Sequence, residues 1–363
     1  MNHFRQGIKN IPEICAQHGV RKIVIAPGSR NAPLIFAFTA QPDMECLSIT
    51  DERSAAYFAL GMAQQSGEAV ALVCTSGTAV LNFAPAIAEA YYQNLPLLIF
   101  TADRPAEMID QADGQTLRQT NIFANYIKAS FDLPVETVVD ADLSFSDRQV
   151  SQAIDTAISY PQGPVQINVP LREPIYTALP DTHSHPKIIK TLAASQKLND
   201  ESLTTLQNSW LKHKRKLVVF GVFPKNECLN ELAQQLANEP DVVVIAENLS
   251  NIAGTNIITQ PESLFSRING DGRIPILPKD SNDRVGSLSS QFAPDLLITI
   301  GHSVICKQLK IYLRNHQPAE QWQIESSMPY VDTYKSLTTV VPGYSTESVG
   351  EMTLGKIESY FSN

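Results

Sequence analysis

Apolar positions along this chain follow two alternating periods. Residues 8–17 carry them at helical spacing and stop before Gly19, a residue type suited to the position just past a helix end. Short apolar runs then recur at 22–26, 44–50, 69–74, 97–101 and 165–169. Segments of helical period separate these runs, opening at Ala32, at Asp51 and over 79–91. Runs of this length read as strands, and their regular alternation with helices predicts a parallel, doubly wound sheet with helices on both faces.

Residues 179–196 carry prolines, His183, His185 and no clear period, which predicts a linker, with the two histidines as solvated loop residues. A second set starts at Leu198. It runs through a polar helix, a strand at 216–222, a helix through Leu232 and Leu236, strands at 242–246 and 294–301, and a helix at 307–313. The halves are alike in class but share no sequence repeat. The expected organisation is α/β throughout: two doubly wound, mainly parallel-sheet domains at 1–178 and 197–363.

A length of 363 residues suits two domains, because single cores stop growing near about 250–300 residues. The formal charge of −9, from 28 Lys and Arg against 37 Asp and Glu, comes without any basic run, which argues against nucleic acid as a partner. The five cysteines, Cys15, Cys46, Cys74, Cys228 and Cys306, show no metal-like or redox spacing and read as thiols of a reducing compartment. No apolar run approaches the roughly 18 residues of a membrane span, and the polar start is unlike a leader. The cytoplasm is the expected location.

Candidate chemistry gathers where strands turn into helices, the edge at which open α/β sheets place ligands. In Ser48-Ile-Thr-Asp-Glu52-Arg, two acids open a helix. Asp51 is placed to cap it and Glu52 to gain from the helix dipole; alternatively, Glu52 faces a cofactor. Gly28-Ser29-Arg30 offers either an anion site or an ordinary turn with a Ser cap. Thr75-Ser76-Gly77-Thr78 is a second cradle, without the lysine and spacing of a P-loop. Asp103-Arg104-Pro105 is a third basic loop, or else a local ion pair beside a proline. Three such loops facing one way predict a shared cleft.

The stretches Ile25-Ala-Pro-Gly-Ser-Arg-Asn-Ala-Pro-Leu34, Asp51 to Ala63, Thr75-Ser-Gly-Thr-Ala-Val80 and Thr101-Ala-Asp-Arg-Pro105 resemble, in order, those of the 2-succinyl-5-enolpyruvyl-6-hydroxy-3-cyclohexene-1-carboxylate synthase family of menaquinone biosynthesis. The wider thiamine-diphosphate superfamily resemblance continues through 163–170 and 294–301. It implies a pyrimidine-binding domain followed by a central domain, with the diphosphate-binding domain and its metal ligands absent from this chain. Gly270-Asp271-Gly272 is similar to the start of the metal and diphosphate motif. Leu297 to Ile300 stands where that motif expects asparagine, however, and Pro275 and Pro278 interrupt its helix, so the triplet reads as a turn.

The same resemblance implies roles. Glu52 matches the glutamate that bonds N1′ of the cofactor's aminopyrimidine and favours the tautomer able to deprotonate the thiazolium. Ser76, Gly77 and Thr78 would line the cofactor. Ser29, Arg30, Arg104 and Gln115 would contact isochorismate, and Lys307 matches a basic family position that Gln308 fails to continue. The complete enzyme would decarboxylate 2-oxoglutarate on thiamine diphosphate with Mg2+ or Mn2+ and join the remaining unit to isochorismate. A homodimer is expected, and this portion alone should be inactive. Two other readings stand beside this one: part of another thiamine-diphosphate decarboxylase or carboligase, and a non-catalytic α/β module with an anion pocket.

Overall fold

The computed structural model describes residues 5–180, 185–192, 198–269, 292–324 and 330–341. The chain divides into two compact units, 1–193 and 194–363.

In the first unit the elements run α1 (Gln6–Gln17), β1 (Lys22–Ile25), α2 (Ala32–Ala40), β2 (Glu45–Ser48), α3 (Glu52–Ser66), β3 (Val70–Cys74), α4 (Thr78–Asn82), α5 (Ala84–Gln93), β4 (Leu97–Asp103), β5 (Ala129–Asp132), α6 (Asp140–Ile158) and β6 (Val165–Pro170). All six strands pair in parallel in the order β2-β1-β3-β4-β6-β5. Every residue of β3 and β4 is buried, as expected of strands covered on both faces. On one face Ile11 and Ile14 of α1, Leu34 and Phe38 of α2, and Ile154 of α6 pack together. On the other, Ala55 and Ala59 of α3, Val80 of α4 and Ile87 of α5 form a second cluster. The predicted doubly wound sheet is present.

Two local departures have physical causes. The helix expected over 79–91 is two helices meeting at Phe83. Pro85 lacks the N–H that would continue the backbone ladder, so the chain re-starts there with the proline in the first turn, where no donor is needed. Strand β5 at the sheet edge was not foreseen, because Ala-Ser-Phe-Asp has one buried residue in four and no apolar run.

The second unit contains α7 (Asp200–Lys212), β7 (Lys216–Phe220), α8 (Glu227–Leu236), β8 (Val242–Ala246), β9 (Ile257–Ile258), α9 (Pro261–Ile268), β10 (Leu296–Ile300), α10 (Lys307–Asn315), β11 (Glu320–Ile324) and β12 (Thr339–Val341). Its six strands are also all parallel, in the order β12-β11-β10-β7-β8-β9. Leu229, Leu232 and Leu236 of α8 cover one face; Phe265 of α9 with Leu309 and Leu313 of α10 cover the other.

Residues 185–192 follow the first unit rather than hanging free. The Thr191 N–H and hydroxyl donate to Asp155 Oδ2 at 2.8 and 2.7 Å, and the Lys187 N–H donates to Asp147 at 3.2 Å. His183 and Gly270-Asp271-Gly272 lie outside the described residues; His185 is exposed.

Candidate functional site

In the first unit the chain reverses its winding direction between β1 and β3, and the loops that leave these two strands meet. A Cβ on Gly28 would stand 2.5 Å from the Thr75 side chain, so only a residue without one lets the loops approach this closely. The crevice beyond this switch point is the expected ligand position of such a sheet.

Arg104, at the end of β4, ties the crevice together. Its Nη1 donates to the Ser76 hydroxyl at 2.5 Å and to the Gln115 carbonyl at 2.7 Å, and its Nε pairs with Asp113 at 3.1 Å. Among the described residues its Nη2 makes no hydrogen bond. The ion pair that the sequence suggested between Asp103 and Arg104 does not form. Asp103 Oδ1 instead accepts the backbone N–H of Arg104 at 2.8 Å, which leaves the guanidinium free to turn into the crevice. Gln115 adopts a left-handed φ of 55°, and its backbone lies over Gly77, where a Cβ would come within 3.1 Å of the Gln115 carbonyl oxygen.

Arg30 is 8% exposed and reaches the Leu171 carbonyl at 3.0 Å and Glu173 at 3.1 Å. Burial, and after it the charge of the Arg104 guanidinium, hold the Arg30 pKa below its ordinary value; the smaller opposing effects come from Glu173, Asp113 and Asp103. A buried cation whose charge a neighbouring guanidinium disfavours is an arrangement that an anion would relieve. The neighbouring Asn31 stands just before α2 with its amide donating to the Ala26 carbonyl at 2.9 Å, while its buried Oδ1 has no partner among the described residues. The expected Ser cap is not made: Asn31, not Ser29, occupies the cap position, and Ser29 is exposed.

Glu52 stands at the first position of α3, half-buried. Asp51 takes the cap, its Oδ1 accepting the Ser54 N–H at 2.8 Å, so Glu52 is not needed for that purpose. Its one hydrogen bond among the described residues is a long one, from Asn82 at 3.4 Å. The carboxylate lies near the end of β3: burial, with the Glu52 charge second, pushes the Cys74 thiol up. A carboxylate with most of its acceptor capacity unused, at the ligand edge of the sheet, fits the partner that a protonated ring nitrogen needs.

The structure thus brings Ser76, Gly77, Arg104 and Gln115 into direct contact and couples Arg30 to them. Thr78 is exposed at the start of α4. Lys307 is exposed at the start of α10 in the second unit. Among the described residues no three His, Cys, Asp or Glu side chains are placed to hold a metal ion.

Sequence reasoning passed over Gln119, Asn168, Asp113 and Glu173. Gln119 is 1% exposed; its Oε1 accepts the Gly77 N–H at 2.9 Å and its Nε2 donates to the Ala102 carbonyl at 3.0 Å and to Asn168 at 3.2 Å. Asn168 in turn donates to Asp103 at 2.9 Å and Asp132 at 3.0 Å. Burial raises the Asp103 pKa, opposed first by that Asn168 bond. The available signal was polar residues inside apolar strands, Thr101 in β4 and Gln166 and Asn168 in β6, which mark a buried network.

A family model described as the thiamine pyrophosphate enzyme N-terminal TPP binding domain matches residues 5–122. Those residues contain all of the crevice loops that follow β1 to β4. Over these residues the chain is similar to the N-terminal domain of thiamine pyrophosphate enzymes. A 2-succinyl-5-enolpyruvyl-6-hydroxy-3-cyclohexene-1-carboxylate synthase from Desulfotalea psychrophila is 40% identical over 92% of this chain and 59% of that protein. One from Porphyromonas gingivalis is 37% identical over 96% and 58%. The chain therefore spans somewhat under three-fifths of the length of these curated relatives. Among solved structures, a thiamin diphosphate-dependent enzyme from Mycobacterium smegmatis superposes with a TM-score of 0.65 at 16% identity over 95% of this chain and 62% of that one. Benzoylformate decarboxylase from Polynucleobacter necessarius gives 0.62 at 16%, over 95% and 61%. These two likenesses show the fold.

Proposed function

We propose that this chain is the pyrimidine-binding and central portion of a 2-succinyl-5-enolpyruvyl-6-hydroxy-3-cyclohexene-1-carboxylate synthase. The first unit would be the pyrimidine-binding domain and the second the central domain. Thiamine diphosphate, when bound, supplies the carbanion chemistry that removes carbon dioxide from 2-oxoglutarate. Glu52 would accept a hydrogen bond from the protonated N1′ of the aminopyrimidine, a contact that supports proton transfer at the opposite side of the ring. Arg30 and Arg104, with Ser29 and Gln115, hold and orient the two carboxylates of isochorismate. The loop 75–78 lines the cofactor side of the crevice. Lys307 is assigned a substrate contact on its family position alone.

The observation that carries this reading is the Arg104 fork. One guanidinium joins the loop after β3 to the 113–119 segment and disfavours the charge of a second buried arginine, as a site for a multiply charged anion requires. The diphosphate and its Mg2+ or Mn2+ would be held by the part of the related synthases that this chain does not match. A homodimer is supported by apolar side chains left in water near Glu52: Tyr57 is 45% and Phe58 55% exposed, and they line an open groove of about 730 Å³ with Met62 and Gly61. The free cysteines suit a reducing cytoplasm. The test is reconstitution. The chain mixed with the unmatched portion of the Desulfotalea psychrophila relative should form product from 2-oxoglutarate and isochorismate, and neither part should do so alone. No product from a mixture that demonstrably associates would contradict the reading.

A further inference from the structure

The segment that follows β6, Leu171-Arg-Glu-Pro-Ile175, supplies both of the partners that Arg30 finds among the described residues. They differ in character. Leu171 is 2% exposed and meets the guanidinium from the protein side, whereas the Glu173 side chain is 63% exposed and meets it from water. With Arg30 itself only 8% exposed, a ligand carboxylate has to approach from the side that Glu173 already occupies.

Glu173 is presented there by a pinned backbone. The buried Arg5 guanidinium donates to the carbonyls of Arg172 at 3.2 Å, of Ile175 at 3.1 Å and of Pro174. The second oxygen of Glu173 accepts the Ile175 N–H at 3.0 Å. The carboxylate is therefore a fixed counter-charge to Arg30 rather than a chance surface contact, and of the nearby acids it supports the Arg30 charge most strongly.

We propose that Glu173 is an internal competitor for the anion seat at Arg30, and that a ligand carboxylate takes the seat only by displacing it. The proposal rests on the reading of Arg30 as a substrate contact and adds a built-in occupant of that contact to it. A monocarboxylate exchanges one ion pair for another and gains little. A dicarboxylate also reaches the unused Nη2 of Arg104, so its second contact is net gain. Glu173 thus lowers the affinity of every carboxylate for the seat by the same factor, and a dicarboxylate offsets that loss through its second contact. The pair is partly solvated and holds weakly, so exchange is reversible and costs only the fraction of time that the seat is closed.

Calorimetric titration of the whole chain with isochorismate and with benzoate, in the parent, Glu173→Gln and Glu173→Ala, tests this. Glu173→Gln keeps an oxygen for the Ile175 N–H and removes the charge. It should bind isochorismate and benzoate each about 3- to 10-fold tighter, because the closed fraction of the seat is removed for both. Glu173→Ala should move in the same direction with an unchanged far-ultraviolet spectrum. Parent binding that is equalled or weakened in Glu173→Gln overturns the competitor role and makes Glu173 a support for Arg30. Absence of isochorismate binding in all three proteins overturns the seat at Arg30 itself, and the competitor with it.

Discussion

Arg104 and Ser76, 28 residues apart in the chain, meet at 2.5 Å between guanidinium and hydroxyl. The contact joins the ends of adjacent strands β4 and β3, whose Cα positions pair Cys74 with Thr101. It therefore depends on sheet register, and a slip of one residue would turn Arg104 away from the crevice. Site geometry and fold are the same fact at this point.

Arg104→Ala should raise the apparent isochorismate requirement of the reconstituted enzyme about 10- to 150-fold, the equivalent of about 1.5–3 kcal/mol for bonds to a charged group. The cofactor requirement should stay within about twofold, because the partner proposed for this guanidinium is a substrate carboxylate. Steady-state kinetics with each component varied separates the two. A cofactor defect with normal isochorismate dependence would place Arg104 on the wrong ligand.

Gln119→Leu should destabilise the chain by about 2–4 kcal/mol in urea denaturation, since it leaves the buried Gly77 N–H and Ala102 carbonyl without their partners. A loss below about 1 kcal/mol would mean that the network rearranges, and that Gln119 does not hold the Gly77 turn.

Much of the frame was legible and much of the site was not, for a common reason. Val70–Cys74 and Leu97–Asp103 are buried throughout, so they appear in the sequence as unbroken apolar runs, and the helices between them show their period. Ala129–Asp132 is an edge strand with one buried side chain and leaves no such trace. In the site, Arg104, Ser76 and Gln115 could be named because motif positions carry them. Gln119 and Glu173 could not: their partners, Gly77 and Arg30, lie far off in the chain and are chosen by the sheet order, and Asp113 gave no hint that it, rather than Asp103, would pair with Arg104. The helix break at Phe83 was legible in Pro85 and was overlooked under a strong apolar period.

Lys128 gives a pH signature. Burial lowers its pKa from 10.5 to about 8, with the Ser159 carbonyl and hydroxyl as its acceptors among the described residues, at 2.7 and 3.0 Å. The unfolded chain then binds more protons than the folded one between these values, so this group makes stability rise as pH increases from about 8 towards 10.5 and fall again as pH is lowered. Melting temperatures of the parent and Lys128→Met across that range should differ in slope, with the variant flatter. Parallel curves would show that the lysine keeps its ordinary affinity for the proton.

Asp51 and Glu52, adjacent in sequence, should fail in opposite ways. Asp51→Ala removes the acceptor of the Ser54 N–H and should lower the melting temperature through loss of the cap. Glu52→Gln should change stability by less than about 1 kcal/mol, because its one contact is the long bond from Asn82.

The most direct test of the account is the rate of carbon–carbon bond formation by Glu52→Gln in the reconstituted enzyme at saturating thiamine diphosphate, 2-oxoglutarate and isochorismate. Loss of the carboxylate at N1′ should slow product formation about 10²- to 10⁴-fold while the protein melts within a few degrees of the parent. A rate within about threefold of the parent would remove Glu52 from the chemistry, and with it the function proposed for this chain.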